Sequence, residues 1–294
     1  MIVGRESTSR KVFSVCNVLL FLFIDIICLY PMWYVFVQSL SSGPLAPRAM
    51  LWPINFTLEN YRSILGRSDI GHATLISVAR TVSGTTLTLL ACMMLGFLFT
   101  KQNMPFRKLL YRMLLITMYV GGGLIPTYLV YKSYGLNNTF FVYIIPSIIS
   151  AYYVILVKTY VESLPSSVEE SAMLDGAGVF TVFFWIIMPM CLPIIATLAI
   201  YASVDQWNSW FDNHLYALSN KNLLTLQYLL YKYLNEAQAI ANEISKEQQE
   251  IVQKITPRNV RMTVTMITII PIFLVYPFFQ RYLIKGLLIG AVKG

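Results

Sequence analysis

An all-α, polytopic membrane protein with six transmembrane helices is predicted by three observations: the share of apolar side chains, the length of the apolar windows, and the distribution of positive charge between them. The chain has 294 residues, of which 56% are hydrophobic and only 12% charged, and its mean hydropathy is +0.61. One soluble core cannot absorb that much apolar side chain, so a bilayer is the expected solvent. Uninterrupted apolar windows fall near 13–37, 73–99, 109–131, 139–157, 182–204 and 263–284. At about 1.5 Å of helical rise per residue, each can cross about 30 Å of hydrocarbon. Residues 1–294 are read as a single transmembrane domain.

The first window follows Arg5, Arg10 and Lys11, as a secretion signal would. It is too long for one and lacks a convincing small-residue cleavage site, so it is expected to stay as the first span. Residues 38–72 form an external loop with Pro44, Pro47 and Pro53, in which Thr57 fits the cap of a short helix. The second span ends in the tight turn Lys101–Arg107, whose Pro105 prevents one continuous helix. Helix three is interrupted by Gly121-Gly122-Gly123 and Pro126. In a helix interior glycine costs about 1 kcal/mol and proline about 3 relative to alanine. Two arrangements tolerate such a break: backbone buried in protein or lining a wet cavity, or a helix that ends and re-enters near the outer surface.

Between helices four and five, residues 162–181 are predicted to form a short rigid helix across the membrane surface. Pro165 fits its first turn, Glu169 and Glu170 lie near its favourable N-terminal dipole, and Gly176 and Gly178 permit a sharp exit. The longest segment outside the spans, 205–261, opens with Asp205-Gln206-Trp207-Asn208-Ser209-Trp210-Phe211-Asp212. Later, Ile240, Ile244, Ile251 and Ile255 recur at helical spacing, with Glu243, Lys246, Glu247 and Glu250 on the other faces. This predicts an amphipathic helix that faces protein, not lipid.

The net charge of +8 follows the membrane and does not call for nucleic acid. Arg5, Arg10 and Lys11 precede helix one; Lys101, Arg107, Lys108 and Arg112 flank the next turn on the same side; Lys158 follows helix four; Arg281, Lys285 and Lys293 follow helix six. The opposite short loops hold Arg48, Arg62, Arg67 and Lys132. By the positive-inside rule both termini are cytoplasmic. Cys16, Cys28, Cys92 and Cys191 fall inside predicted spans at no metal or disulfide spacing, and read as packing residues.

No phosphate-binding Gly-x-x-x-x-Gly-Lys-Ser/Thr loop, zinc-type His-Glu-x-x-His or Gly-x-Ser-x-Gly nucleophile turn occurs. The two histidines, His72 and His214, are predicted outside the spans. A catalytic set is therefore missing, and the chain is not expected to be an enzyme. Asp25, within helix one, either marks a proton relay, as in a secondary carrier driven by an ion gradient with Arg80 as its coupling partner, or makes a structural bond or pair with Arg80. The lack of a second acidic residue in the spans favours the structural role.

The run Glu170-Ser171-Ala172-Met173-Leu174-Asp175-Gly176-Ala177, followed by Phe183, Pro189 and Pro193, resembles the cytoplasmic loop of permease subunits in ABC-type importers. That pattern reads Glu-Ala-Ala, two variable residues, Asp-Gly-Ala and a later Pro-x-x-x-Pro, and this chain departs from it at Ser171. Gly122–Tyr128, Gly135–Thr139, Trp207–Asp212 and the tail Lys285–Gly294 extend the resemblance to the carbohydrate-importing branch, on the side of the maltose-type second permease. More narrowly they resemble permeases for oligosaccharides of plant or algal polysaccharides, including aldouronate- and alginate-type systems, which implies a uronate-containing cargo.

The resemblance implies a multi-pass subunit of the bacterial cytoplasmic (inner) membrane that forms a heterodimer with a second homologous permease. Two ATPase subunits would bind ATP and Mg below, this chain binding no cofactor or metal, and an extracytoplasmic solute-binding protein would deliver oligosaccharide above. It also implies that Glu170, Ser171, Ala172, Asp175, Gly176 and Ala177 couple to an ATPase cleft. The tail residues Lys293 and Gly294 are implied to reach the interface between the ATPase subunits, and the segment 213–257 to meet the binding protein. For the sugar path, aromatic and amide groups suit ring faces edged by hydroxyls, which selects Trp207, Asn208 and Trp210, with Tyr128 and Tyr152.

Overall fold

The computed structural model describes residues 8–43, 45–66, 68–243, 259, 261–274 and 277. Among these residues the regular secondary structure is helical, with no strand. The chain divides into two compact units, Met1–Arg67 with Lys232–Ile269, and Ser68–Tyr231 with Ile270–Gly294.

In the first unit, helix α1 (Thr8–Ser39) carries the first window, and none of its most apolar stretch is buried by the rest of the chain. A helix that is apolar and uncovered needs lipid or another subunit around it. Its C-terminal end is packed: Val37, Gln38, Ser39 and Leu40 are buried. Gln38 Nε2 donates to the Ala49 carbonyl at 2.6 Å, and Asn60 Nδ2 donates to the carbonyls of Ser39 and Ser41 at 2.9 and 3.1 Å. Asn259 Nδ2 reaches the same Ser41 carbonyl at 3.1 Å. The bond to Ser39 satisfies a carbonyl that the helix end leaves open, and the others tie the following loop to it. Helix α2 (Glu59–Leu65) has Leu58, not the expected Thr57, at its N-cap; Thr57, one residue earlier, accepts from the Glu59 amide through Oγ1 at 3.1 Å. Burial raises the Tyr61 phenol above its ordinary pKa against the opposing effect of its bond to Ser39.

The second unit starts with α3 (Ser68–Leu98), which packs on α6 (Ala151–Glu162) and α9 (Leu192–Asn208). Their shared core includes Cys92, Met93, Phe97, Val154, Cys191 and Leu198, which places two of the four cysteines among packing residues. After the Pro105 turn, α4 (Arg107–Tyr119) and α5 (Leu124–Ser133) divide the third window. The break is at Val120–Gly123, as the three glycines predict. Pro126 lies in the first turn of α5, where a missing N–H forfeits no intrahelical bond.

The fourth and fifth windows are bent. Residues Phe140–Ser147 form two short 3₁₀ turns that meet α6 at 46°. The bend is served by α3: Thr88 Oγ1 donates to the Ser147 carbonyl at 3.1 Å, and Cys92 Sγ accepts from the Ser150 amide at 3.5 Å. Protein groups replace the missing helical partners, as broken backbone in a bilayer requires. Helix α7 (Ser166–Leu174) leads to α8 (Val179–Met190), whose residues Val182–Ile187 are π-helical, and α8 meets α9 at 80°. Pro189 has no N–H for the carbonyl of Trp185 and crowds it, which favours the wider turn there. Helices α10 (Phe211–Tyr216), α11 (Leu226–Glu243) and α12 (Arg261–Leu274) complete the order.

By length and composition, α1 and α3 each suffice to cross a membrane, and the two bent pairs raise the number to four if each is one span. The sixth window continues past α12 beyond the described residues. So do Ile244, Ile251 and Ile255 of the expected amphipathic helix, and Lys293 and Gly294 of the tail.

Candidate functional site

Two features of the second unit carry the predicted residues: the short helix α7, and a cavity beside α9.

Pro165 stands as the N-cap of α7, one residue ahead of the first turn. The exit is a two-bond cap. The Gly176 amide donates to the Met173 carbonyl at 3.1 Å and the Ala177 amide to the Ala172 carbonyl at 3.0 Å, with Gly176 at φ +84°. This is the Schellman arrangement, in which the residue after the C-cap takes the left-handed conformation that glycine adopts without steric cost. Ala172 and Ala177, bonded to each other through this cap, are the half-buried members of the run and pack on the core. Glu170, Ser171, Asp175 and Gly176 are exposed, and Leu174 is 89% exposed. The run thus has an anchored small-residue side and an open side with carboxylates and apolar groups.

A further tether was not legible in the sequence. Lys101, in the turn after α3, forms an ion pair with Glu169, while its ammonium lies 4.1 Å from the ring centre of Phe97. Phe97 in turn packs at 5.2 Å on Phe183, the aromatic residue of the motif. The pair joins α7 to the end of α3.

The cavity, of about 1010 Å³, is walled by α3, the 3₁₀ turns, α6, α9 and α10. Arg80, 3% exposed, organises one side. Its Nε donates to Gln206 Oε1 at 2.9 Å, its Nη1 donates to the Ser209 carbonyl and to Asp212 Oδ1 at 3.1 Å each, and its Nη2 pairs with Asp212 Oδ2. Gln206 Nε2 donates onward to Ser147 Oγ at 2.7 Å. The helices approach closely here, since a Cβ on Gly84 would lie 2.6 Å from Gln206 Nε2. On another side the Tyr153 hydroxyl donates to Asp205 Oδ2 at 2.9 Å. Tyr152, Tyr201 and Asp205 are exposed members of the wall. Tyr216 also lines it; burial, then Tyr131 and Asp212, hold its phenol above the ordinary pKa.

Of the residues selected from sequence for a path, Tyr152 lines the cavity, and Tyr128 stacks at 6.0 Å on the lining residue Tyr216. Trp207, Asn208 and Trp210 are not among the lining residues. Trp207 is buried, Asn208 Oδ1 accepts from Gln227 Nε2 at 2.8 Å, and Trp210 stacks at 4.0 Å on Tyr231. The last two join the end of α9 to α11. Helix α9 itself continues to Asn208, four residues beyond the predicted window, and this extension brings Asp205 and Gln206 into the wall. Arg80 is engaged by Asp212 of its own unit. His72 Nε2 lies 2.8 Å from the Asn222 carbonyl.

An apolar, all-helical chain with a capped, exposed helix and an aromatic, polar cavity suits a transport component. No protein-family model matches the chain. Protein LplC of Bacillus subtilis (strain 168) is 32% identical to it over 294 residues, covering 99% of this chain and 98% of that one. The polygalacturonan/rhamnogalacturonan transport system permease protein YtcP of the same organism is 32% identical over 277 residues, covering 93% and 95%. The crystal structure of a bacterial ABC transporter involved in the import of the acidic polysaccharide alginate contains a chain of the same fold, with TM-score 0.83, 24% identity, and 95% and 99% coverage. The chain belongs to the family of carbohydrate ABC transporter permease subunits. It is a transport subunit and not an enzyme, ATP hydrolysis in this family being the work of a separate subunit.

Proposed function

We propose that this chain forms half of the translocation path of an ATP-driven oligosaccharide importer in the bacterial cytoplasmic membrane, with six spans and both termini inside. A second homologous permease supplies the other half, two ATPase subunits carry ATP and Mg, and an extracytoplasmic solute-binding protein delivers the cargo. The observation that carries this reading is α7: a short helix, capped at its exit, tethered through Glu169 and open on its Glu170–Asp175 side. That is the shape of a rigid key for a cleft in another protein. Glu170, Ser171 and Asp175 supply polar contacts to the ATPase, while Ala172, Gly176 and Ala177 set the backbone that presents them. The cavity serves the sugar, with Tyr152 and Tyr128 on or beside it, and Trp207, Asn208 and Trp210 hold its α9–α11 flank. Lys293 and Gly294 reach toward the ATPase interface. The name of YtcP points to oligosaccharides of the polygalacturonan or rhamnogalacturonan kind.

The test is cross-linking in the assembled complex, with Cys16 and Cys28 replaced by serine. A single Ser171→Cys is expected to capture an ATPase subunit, in a complex that takes up oligosaccharide only when ATP is hydrolysed. Capture in no nucleotide state would overturn the role of α7, and uptake without hydrolysis would overturn the importer.

A further inference from the structure

The cavity wall holds three charged residues, Arg80, Asp205 and Asp212, and they are not equivalent. Arg80 and Asp212 form a closed pair, with the guanidinium also engaged by Gln206 and the Ser209 carbonyl. Their charges cancel locally, and at 3% exposure the arginine offers little to a ligand. Asp205 stands apart. It is exposed in the wall, and Oδ2 takes a hydrogen bond from the Tyr153 phenol. Among the described residues it has no cationic partner, and Oδ1 is left to accept from a ligand. Tyr201, one helical turn before it on α9, and Tyr152, beside Tyr153 on α6, are exposed rings in the same wall.

A carboxylate oxygen that shares a cavity wall with two exposed aromatic rings suits a neutral sugar ring. Sugar hydroxyls donate to the carboxylate, in charge-assisted bonds stronger than neutral ones, and the rings cover the apolar faces. A uronate ring in that place would set its own carboxylate against Asp205 without a cation to compensate, and such like-charge contacts are a means of rejecting a ligand. We propose that Asp205, with Tyr152 and Tyr201, seats a neutral sugar ring, and that this half of the path disfavours a uronate there. The proposal rests on reading the cavity as the sugar path. It also refines the uronate-containing cargo expected from sequence, because a chain in which neutral rings alternate with acidic ones can place a neutral ring at this position, whereas one with a carboxylate on every ring binds it less tightly.

The test is equilibrium binding to the assembled transporter, with the solute-binding protein omitted so that delivery does not set the preference. Galactobiose and digalacturonate are suitable probes because they differ at C6, hydroxymethyl in one and carboxylate in the other. The wild type is expected to prefer galactobiose by about tenfold. Asp205→Asn should bring the ratio near one, and Asp205→Glu, which keeps the charge, should preserve the preference. Raising the salt to 1 M shortens the screening length to about 3 Å and should shrink the wild-type preference, an arm that needs no variant to fold. Equal or tighter binding of digalacturonate by the wild type overturns the proposal, as does a ratio unmoved by Asp205→Asn. Binding of neither sugar by a complex that still imports oligosaccharide overturns it as well. A wild-type complex that shows no ATP-driven oligosaccharide uptake counts instead against the importer reading.

Discussion

A backbone φ of +84° at Gly176 costs a β-carbon-bearing residue about 1–2 kcal/mol, and more if it is β-branched. Gly176→Val should therefore release the cap of α7, and sugar uptake per ATP hydrolysed should fall in the reconstituted transporter. Asparagine tolerates the left-handed region, so Gly176→Asn should keep most of the coupling. Equal loss in both would mean that side-chain bulk at the ATPase, and not backbone shape, is what matters. Arg80 makes a different kind of prediction. Asp212→Ala strands a buried guanidinium, a change worth about 3–5 kcal/mol when a buried pair loses one partner. The purified complex should melt earlier, and the double variant Arg80→Met/Asp212→Leu should be less damaged than Asp212→Ala alone. A double variant that melts no later than the single one would show that the pair does more than cancel charge. The two residues also show what the sequence can disclose. The cap at Gly176 is built within a dozen residues, so local chemistry predicts it. Arg80 meets Asp212 across 132 positions, and no local pattern encodes that choice.

At the scale of elements, α7 is attached through the Lys101–Glu169 pair, and partly exposed pairs of this kind contribute about 0.2–1 kcal/mol to stability. That is too little to decide folding, but it is enough to bias the position of a short helix. Lys101→Glu should lower the number of sugars moved per ATP while leaving the amount of assembled complex nearly unchanged, and adding Glu169→Lys should restore the ratio. No recovery in the double variant would exclude the ion pair as the tether. The glycine break of helix three and the Pro105 turn were legible because glycine and proline act through their own backbone. The bends at 46° and 80° were not. Those windows read as continuous apolar runs, and the groups that serve the first bend, Thr88 and Cys92, come from another helix.

On the scale of the whole molecule, apolar composition predicted the helical class and the bilayer, whereas hydropathy is silent on which apolar faces meet protein. Helices α4 and α5 have no buried residue, and Tyr119, at their junction, is 86% exposed. Exposed apolar surface on this scale has to be covered by lipid or by another chain. The broken backbone at Val120–Gly123 favours a chain, since freed peptide groups are tolerated at membrane depth beside protein or a wet cavity and not beside lipid. The second permease is therefore expected to cover this junction, and a single cysteine at Ile125, in a background without the native cysteines, can report it. A membrane-dissolved maleimide should label that site when this chain is produced alone, and labelling should fall once the second permease is co-produced. A cysteine at Ile24 on α1 provides the internal comparison, because protection at Ile125 with continued labelling at Ile24 would separate the partner-facing surface from the lipid-facing one. Unchanged labelling at Ile125 in the assembled transporter would mean that the break faces lipid, and the interface would have to be sought on another face of the molecule.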